Sequence, residues 1–248
     1  MNSPHDLATL QAANDSPALD GNHVLAAMAL LARIARDHAP AAFANSLGAE
    51  DMVLTDMIAR AGLDVELFCL DTGRLPVETY QLMDALEQRY GIALKRYYPQ
   101  REAIEDYVRN HGVDAFYSSP ALRRACCALR KVEPLGRALV GKRAWITGMR
   151  AGQSASRAGL PLRLWDVEHG LEKFNPLADW SEKQVWAYLR ERGVPYNALH
   201  DQHYPSIGCA PCTRAVADGE DPRAGRWWWE DGHEKECGLH LVQIKDVT

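Results

Sequence analysis

The stretch AAFANSLGAEDMVLTDMIARAG, residues 41–62, contains a short apolar run, a loop of small residues and a helical pattern in direct succession. The run AAFANS predicts a strand, and EDMVLTDMIARAG predicts a helix that ends near Gly62. From residue 41 onward the chain repeats this alternation of short apolar runs and longer helical patterns. Such alternation is typical of βαβ units and a parallel sheet. The stretch therefore predicts an α/β fold.

Four further apolar runs predict the other strands: VELFCL (65–70), IALKRYY (92–98), RAWIT (143–147) and LRLWDV (162–167). Helical patterns separate or follow them. PVETYQLMDALEQRYG (76–91) begins with Pro76, which suits a first helical position. SEKQVWAYLRERG (181–193) begins with a capping box of Ser181 and Gln184. We expect a central, mostly parallel twisted sheet flanked by helices.

The two ends of the chain differ from this regular middle part. VLAAMALLARIA (24–35) predicts an amphipathic helix and not a secretion signal, because Arg33 interrupts the run and no Lys or Arg precedes it. After about Gly208 the periodicity fades into a segment rich in Cys, Pro, Gly and Trp. We therefore predict an α/β domain over residues 1–217 and a functional C-terminal tail over 218–248.

The composition excludes some classes of function. Hydrophobic residues make up 47% of the 248, which is enough for a sizeable core. The formal net charge of -5 argues against nucleic-acid binding, which needs a basic surface. No apolar run reaches the ~18 residues of a membrane span. We expect a cytoplasmic protein that binds neither nucleic acid nor membrane; its oligomeric state is left open, with a homo-oligomer included.

Three loops follow predicted strands and carry polar or small residues: SLGAED (46–51), LDTGRL (70–75) and ITGMRAGQSASR (146–157). Ligands of open parallel sheets bind beyond the carboxyl ends of the strands, where these loops would meet. Backbone N–H groups of SLGAED at a helix N-terminus could hold an anion. Taken singly, no loop decides the question: SLGAED is better explained as an ordinary turn in which Glu50 and Asp51 complement the helix dipole, and the basic third loop could be an ordinary solvated loop. Together they predict a site for a nucleotide-like anion.

Five of the six cysteines fall outside apolar strands, and four of them form two pairs. RRACCALRK supplies Cys126 and Cys127, and IGCAPCTR supplies Cys209 and Cys212. Four thiolates suit zinc or an iron–sulfur cluster. Adjacent helical side chains diverge by about 100°, which a wide cluster tolerates better than a single ion does.

Two alternatives to the cluster remain open at this point. HDQHYPSIGCAPC also allows a zinc site of His200, His203, Cys209 and Cys212. The CxxC pair could instead be a redox dithiol. Cys69, inside VELFCL, is expected to be an inert core residue.

Basic residues accompany the cysteine pairs. Arg123, Arg124 and Lys131 surround the first pair, and they could compensate the negative charge of a four-thiolate cluster. Lys131 lies four residues after Cys127 and so would share its helix face. That position would let Lys131 approach both the cluster and a bound anion.

The tail EDPRAGRWWWEDGHEKECGLH (220–240) combines two arginines, three tryptophans and a lone cysteine. Arg223 and Arg226 are suited to bidentate phosphate or sulfate binding. The tryptophans are expected to anchor the segment. Cys237 stands near Lys235 and His240, which favour its thiolate, although neighbouring glutamates oppose this. We interpret Cys237 as a nucleophile.

The combination CC…CxxC…ECGLH, with SLGAED upstream, resembles the assimilatory adenylyl-sulfate reductases, which are relatives of the 3′-phosphoadenylyl-sulfate reductases. The resemblance implies an adenine nucleotide α-hydrolase-like (PP-loop) domain with a mobile C-terminal tail. It implies that Cys126, Cys127, Cys209 and Cys212 hold a 4Fe-4S cluster. The family's nucleotide-pocket residues correspond here to Ser46, Gly48, Leu70, Thr72, Gly148 and Arg157. Those around the phosphosulfate correspond to Lys131, Arg223, Arg226 and His240.

The resemblance also implies a reaction. Cys237 would attack the sulfur of adenosine 5′-phosphosulfate, AMP would leave, and a Cys237 S-sulfonate would remain. Thioredoxin, or a similar dithiol protein, would then release sulfite. The presence of all four cluster cysteines favours adenosine 5′-phosphosulfate over its 3′-phosphorylated form as the substrate.

Three other functions are compatible with parts of the pattern. One is a reductase of the 3′-phosphorylated nucleotide, or of both nucleotides. A second, of a different class, is a zinc-bearing module that binds an adenine nucleotide. A third is an ATP-using thiolation enzyme, although SLGAED fits that activity poorly.

Overall fold

The computed structural model of the protein describes residues 21–154, 157–230 and 239. Its strands are β1 (Ala41–Ala44), β2 (Val65–Leu70), β3 (Lys95–Tyr97), β4 (Ala144–Ile146), β5 (Arg163–Asp166) and β6 (Leu171–Phe174). Its α-helices are α1 (Gly21–Asp37), α2 (Ala49–Arg60), α3 (Val77–Tyr90), α4 (Arg101–His111), α5 (Pro120–Cys127), α6 (Glu133–Leu139) and α7 (Glu182–Glu191). A π-helical turn, Ala128–Val132, joins α5 to α6.

The six strands form one sheet in the order β3–β2–β1–β4–β6–β5. All neighbouring pairs are parallel except β5 with β6. Ala41 of β1 lies opposite Val65 of β2 and Ala144 of β4, so β1 is the central strand. The chain builds β2 and β3 on one side of β1 and then returns to build β4 on the other side. This switch in direction opens a crevice at the carboxyl ends of β1 and β4.

Helices cover both faces of the sheet. Phe43 belongs to the larger core, which includes Leu31 of α1, Met52 of α2 and Leu189 of α7. The neighbouring residue Ala42 belongs to a second core on the opposite face, together with residues of α6. Because successive strand residues point to opposite faces, β1 is buried on both sides and is apolar throughout.

The structure confirms the predicted fold class and the predicted helices. Helix α1 buries Val24, Ala27, Leu31 and Ile34 on one face, as its amphipathic pattern indicates. The capping box of Ser181 with Gln184 is present at the start of α7. No helix in the described part of the chain is both long and apolar enough to cross a membrane.

Some strand predictions were wrong in detail. Strand β6 was not predicted, because its four residues, LEKF, give too short a pattern to detect. It pairs with β5 in an antiparallel hairpin at the sheet edge. The predicted strand 92–98 is reduced to Lys95–Tyr97. Pro76 precedes α3 as its N-cap, with an extended backbone, and is not the first helical residue.

Asp56, in α2, is a fully buried carboxylate that connects three helices. Oδ1 accepts hydrogen bonds from the Tyr90 hydroxyl of α3 at 2.7 Å and from Arg60 Nε at 2.8 Å. Oδ2 accepts one from the Tyr188 hydroxyl of α7 at 2.8 Å. These donors compensate the desolvation of the charge and fix α2 against the two helices.

We expect Tyr188→Phe to lower the free energy of unfolding by about 2 kcal/mol, because the buried carboxylate loses a donor and gains no water. Urea denaturation measures the change. Tyr196→Phe is the matched control, since the Tyr196 hydroxyl contacts exposed Asp201 at 3.2 Å, and it is expected to cost less than about 0.5 kcal/mol. Equal losses in the two variants would contradict the role assigned to Asp56.

Candidate active site

A cleft of about 300 Å³ lies at the crevice beyond β1, β2 and β4, and we call it the nucleotide cleft. It is lined by nine residues that the sequence assigns to substrate binding or catalysis: Ser46, Gly48, Leu70, Thr72, Lys131, Gly148, Arg157, Arg223 and Arg226. The two remaining predictions for this site, Cys237 and His240, lie outside the described residues. Leu239 is described; it lines the same cleft and packs against the core that contains Phe68.

The loop after β1 is organised by Asp51. One carboxylate oxygen of Asp51, Oδ2, accepts hydrogen bonds from both the backbone N–H and the hydroxyl of Ser46, each at 2.6 Å. The backbone N–H of Gly148 also donates to this carboxylate. Burial raises the pKa of Asp51 to about 7, against the opposing effect of these hydrogen bonds. Asp51 thus joins the loops after β1 and β4, whereas the sequence alone suggested only a favourable helix dipole contact.

The loop after β4 approaches Asp51 so closely that only glycine fits at position 148. A Cβ at Gly148 would lie 2.1 Å from Asp51 Oδ1 and 3.1 Å from Glu50 Cβ. Further along this loop, Arg150 is buried and its Nε donates to Glu50 Oε1 at 2.8 Å. Glu50 therefore compensates the charge of Arg150, a pairing that sequence reasoning missed. Arg157, later in the same loop, donates a hydrogen bond to the side-chain oxygen of Gln153.

The loop after β2 connects this cleft to a second one. Asp71 accepts hydrogen bonds from the Tyr80 hydroxyl at 2.8 Å and from the Gly73 N–H at 2.9 Å, so it stabilises the loop itself. Thr72 lines the nucleotide cleft, and its hydroxyl lies 3.2 Å from the sulfur of Cys209. Asp71 and Thr72, which are neighbours in the LDTGRL loop, thus have different roles: Asp71 stabilises the loop, whereas Thr72 lies at the cleft.

The second cleft, which we call the cysteine cleft, is lined by all four paired cysteines, Cys126, Cys127, Cys209 and Cys212. The first pair stands at the end of α5, immediately before the π-helical turn. The second pair flanks a short 3₁₀ turn. Cys69 is buried in β2, where burial raises the pKa of its thiol to about 12, as expected of an inert core residue.

Four basic residues also line the cysteine cleft: Arg74, Arg123, Arg130 and Lys131. Arg130 is buried and donates to the Thr72 carbonyl at 2.6 Å, while its Nε has no hydrogen-bond partner. Burial raises the pKa of the Cys126 thiol, and Arg130 opposes this effect. The sequence named Lys131 and Arg123 correctly as neighbours, but it missed Arg74 and Arg130, and Arg124 does not line the cleft. Arg130 could have been found as the residue four positions after Cys126.

Lys131 lines both clefts. It lies within the π-helical turn Ala128–Val132, which widens the backbone directly after Cys127. Its position between the cysteines and the nucleotide cleft agrees with the face-sharing argument made from the sequence.

The alternative zinc site is not assembled. The Nδ1 atom of His200 lies 2.9 Å from the Tyr204 carbonyl oxygen, and His200 lines the nucleotide cleft. His203 is exposed and does not line the cysteine cleft. Within residues 21–154, 157–230 and 239, no three histidine, cysteine or carboxylate side chains are positioned to hold a single metal ion.

The base of the predicted tail packs on the domain through Arg226 and Trp227. Arg226 is buried, donates to the Ile207 carbonyl at 3.3 Å, and would collide with any Cβ at Gly208, whose ideal position is 2.3 Å from Nη2. Trp227 is buried with Cys209 and Cys212. Its φ of +43° is a strained conformation for a bulky residue, which the packing around it must hold. Trp228 is 49% exposed and does not serve the anchoring role expected of it.

We expect Gly148→Ala to destabilise the protein by about 1–3 kcal/mol, because the added methyl group overlaps Asp51 and the start of α2. Chemical denaturation gives the free energy. Gly152→Ala is the control in the same loop, since the nearest atom to its Cβ, Arg150 Nη1, is 3.5 Å away, an ordinary van der Waals distance. A Gly148→Ala variant as stable as Gly152→Ala would contradict the contact between the two loops.

Comparisons with known proteins agree with this geometry. Residues 40–215 match the phosphoadenosine phosphosulfate reductase domain family. The adenosine 5′-phosphosulfate reductase of Allochromatium vinosum is 59% identical over 87% of this chain and 84% of its own length. That of Burkholderia cepacia is 52% identical over 88% of each chain.

Solved structures give the same fold. Phosphoadenylyl-sulfate reductase from Candida auris, in a phosphate complex, superposes with a TM-score of 0.64 at 30% identity, over 87% of this chain and 98% of that one. Yeast FAD synthetase, at 15% identity and a TM-score of 0.54 over 87% of this chain and 70% of its own, shares the fold alone. This chain therefore belongs to the phosphoadenosine phosphosulfate reductase family, in the branch formed by the adenosine 5′-phosphosulfate reductases.

Proposed function

We propose that this enzyme reduces adenosine 5′-phosphosulfate to sulfite and AMP in assimilatory sulfate reduction, with Cys237 as its nucleophile. The observation that carries the proposal is that one cleft collects residues from three strand-ending loops, from the π-helical turn and from the C-terminal segment. The loops after β1, β2 and β4 would bind the nucleotide, and the basic residues that line the cleft would bind its anionic group. Relatives with 52% and 59% identity carry the name adenosine 5′-phosphosulfate reductase, which supports this substrate over the 3′-phosphorylated one.

The nucleotide would bind against the loops after β1, β2 and β4. Gly48 is the N-cap of α2, so the first N–H groups of that helix face the cleft side of the loop and favour an anion. Gly148 has no side chain, which lets a ligand approach the backbone. Leu70 and Thr72 supply an apolar contact and a hydroxyl at the end of β2.

The charge of the cleft suits the reaction. A thiolate attacking a doubly negative phosphosulfate meets like-charge repulsion of about 4 kcal/mol for each unit pair at ~4 Å and an effective dielectric of ~20. Lys131, Arg157, Arg223 and Arg226 all line the cleft and would offset that repulsion. Arg150, which Glu50 compensates, is not assigned to this task.

In the first step, the Cys237 thiolate would attack the sulfur of the sulfo group. A sulfur–sulfur bond forms, the bond from sulfur to the bridging oxygen breaks, and AMP leaves with the electron pair. The product on the enzyme is Cys237 S-sulfonate. Support comes from Leu239, two residues after Cys237 in the sequence, which lines this cleft. His240 would stabilise the charge around the sulfo group.

In the second step, a dithiol protein such as thioredoxin would release sulfite. The dithiol is oxidised to a disulfide, Cys237 returns to its thiol form, and sulfite departs. A segment that presents the Cys237 thiolate to the nucleotide, and then the Cys237 S-sulfonate to a protein partner, suits these two steps. We therefore keep residues 218–248 as the functional tail of a domain spanning 1–217, in a cytoplasmic enzyme.

The cysteine cleft fits a 4Fe-4S cluster held by Cys126, Cys127, Cys209 and Cys212. The donor set consists of four sulfur atoms, each of which would bind a different iron, so the sulfurs need not converge on one point. When bound, the cluster would supply a negatively charged, rigid element beside Lys131. Arg74, Arg130 and Lys131 line the same cleft and would compensate that charge; Arg123 also lines it, but Glu230 neutralises its charge.

Replacing one of these cysteines tests the cluster. We expect anaerobically purified protein to be brown with broad visible absorption, and Cys209→Ser to lose the colour and the iron, since serine supplies no thiolate. Cys69→Ser is the matched control, because Cys69 is buried in β2 and does not line the cysteine cleft, and it should keep both. Colourless wild-type protein with one zinc per chain would contradict the cluster.

A mass measurement tests the nucleophile. Mixed with adenosine 5′-phosphosulfate in the absence of reductant, the wild type and Cys69→Ser should each gain the mass of one SO₃ group, and Cys237→Ser should gain none. The 3′-phosphorylated nucleotide should give the adduct more slowly. Catalytic release of sulfite by Cys237→Ser would disprove the mechanism.

A further inference from the structure

Arg123 and Glu230 form a buried, bidentate ion pair that no part of the proposed reaction uses. Arg123 Nε lies 2.6 Å from Glu230 Oε1, and Nη2 lies 3.0 Å from Oε2. The two side chains are only 3% and 9% exposed. Arg123 belongs to α5, the helix that carries Cys126 and Cys127, whereas Glu230 is the last residue described before the segment that contains Cys237.

The same guanidinium makes two further contacts. It lies 4.4 Å from the ring centroid of Trp227, in a cation–π arrangement, and it hydrogen-bonds the sulfur of Cys127. The guanidinium of Arg226 lies 4.9 Å from the centroid of the same ring. One side chain therefore contacts a cysteine of the cysteine cleft, the strained Trp227 and Glu230.

The residues that this pair holds belong to the nucleotide cleft. Arg226 and Trp227 line that cleft, but neither Arg123 nor Glu230 does. The backbone of the segment is held by one isolated antiparallel bridge between Thr213 and Arg226, whose hydrogen bonds run from the Trp227 N–H to the Cys212 carbonyl at 3.2 Å and from the Arg214 N–H to the Gly225 carbonyl at 3.0 Å. A bidentate arginine–carboxylate pair fixes orientation as well as distance.

We propose that Arg123 and Glu230 are positioning residues that clamp the base of the tail to the cysteine-bearing helix and thereby set the place of Arg226 and Trp227 in the nucleotide cleft. The proposal rests on the proposed function only in taking the ligand to be an adenine nucleotide. A buried ion pair contributes little net stability compared with an apolar contact of the same size, whereas its geometry is highly specific. The Arg123–Glu230 pair therefore matters for where it holds Arg226 and Trp227, and not for the stability that it adds.

The experiment compares Glu230→Gln with Glu220→Gln in full-length protein of equal iron content. Glu220 pairs bidentately with Arg214 in the same C-terminal segment, but that pair is exposed, so it is the matched control. Amide hydrogen exchange is followed at Trp227 and Glu230, whose N–H groups bond to the Cys212 and Trp227 carbonyls. AMP, as the probe ligand, is titrated by calorimetry.

For Glu230→Gln we expect exchange at these amides to be at least about tenfold faster, with the amides of β1 and β4 unchanged, and AMP affinity to be about tenfold weaker. Glu220→Gln should resemble wild type in both measurements. Unchanged exchange at Trp227 and Glu230, uniform acceleration that includes the central strands, or unchanged AMP affinity would each overturn the proposal.

Glu230→Asp provides the second variant if Glu230→Gln does not fold. It retains the buried charge but withdraws the carboxylate by one methylene, so exchange and affinity should fall between those of wild type and a broken pair. An Asp variant identical to wild type in exchange, or one no better than Glu230→Gln where both fold, would overturn the clamp. Failure of the wild type to bind AMP would instead count against the proposed function, because the exchange measurement tests the clamp without any ligand.

Discussion

The parallel pairing of β1 with β2 on one side and β4 on the other is the constraint on which the candidate active site depends. Because the chain changes direction across the sheet at this strand, the loops after β1 and β4 separate and leave a cleft. Asp51 then holds the two loops at a fixed distance, since its carboxylate accepts hydrogen bonds from Ser46 and from Gly148. The glycine at position 148 follows from that contact, because any larger side chain there would displace the carboxylate.

The two clefts share side chains, so their charges are not independent. Lys131 lines both of them, and Thr72 lines the nucleotide cleft while its hydroxyl lies 3.2 Å from Cys209 Sγ. Arg130 donates to the Thr72 carbonyl from the side of the cysteines. Under the proposed function, negative charge at the cysteines and negative charge on the ligand compete for the same cation at Lys131. A cluster bound at the cysteines would therefore affect ligand binding through the electrostatic field at this lysine.

The sequence predicted the features that depend on neighbouring residues. The strand, loop and helix of residues 41–62 and the capping box at Ser181 follow from local patterns. The meeting of the two cysteine pairs in one cleft is long-range, and it could be predicted because four thiols suit a common metal site. The sequence missed other features that depend on distant partners. Glu50 and Arg150 are 100 residues apart, Arg123 and Glu230 are 107 residues apart, and nothing in the spacing of either pair marks it. Strand β6 was missed because four residues carry too little pattern, and its antiparallel pairing depends on β5.

The Glu50–Arg150 and Arg123–Glu230 ion pairs have similar structural roles in this fold. Each is nearly buried, and each joins an element of the central sheet or its helices to a segment that lines the nucleotide cleft or leads to the tail. An isolated buried charge would be strongly destabilising, so each arginine must remain next to the carboxylate that neutralises it. Glu50 in this way fixes the loop that carries Arg157, and Glu230 fixes the segment that carries Arg226. Two of the four basic residues assigned to the anionic ligand, Arg157 and Arg226, therefore lie on segments that carboxylates hold by pairing with other arginines, in a protein whose net charge is -5.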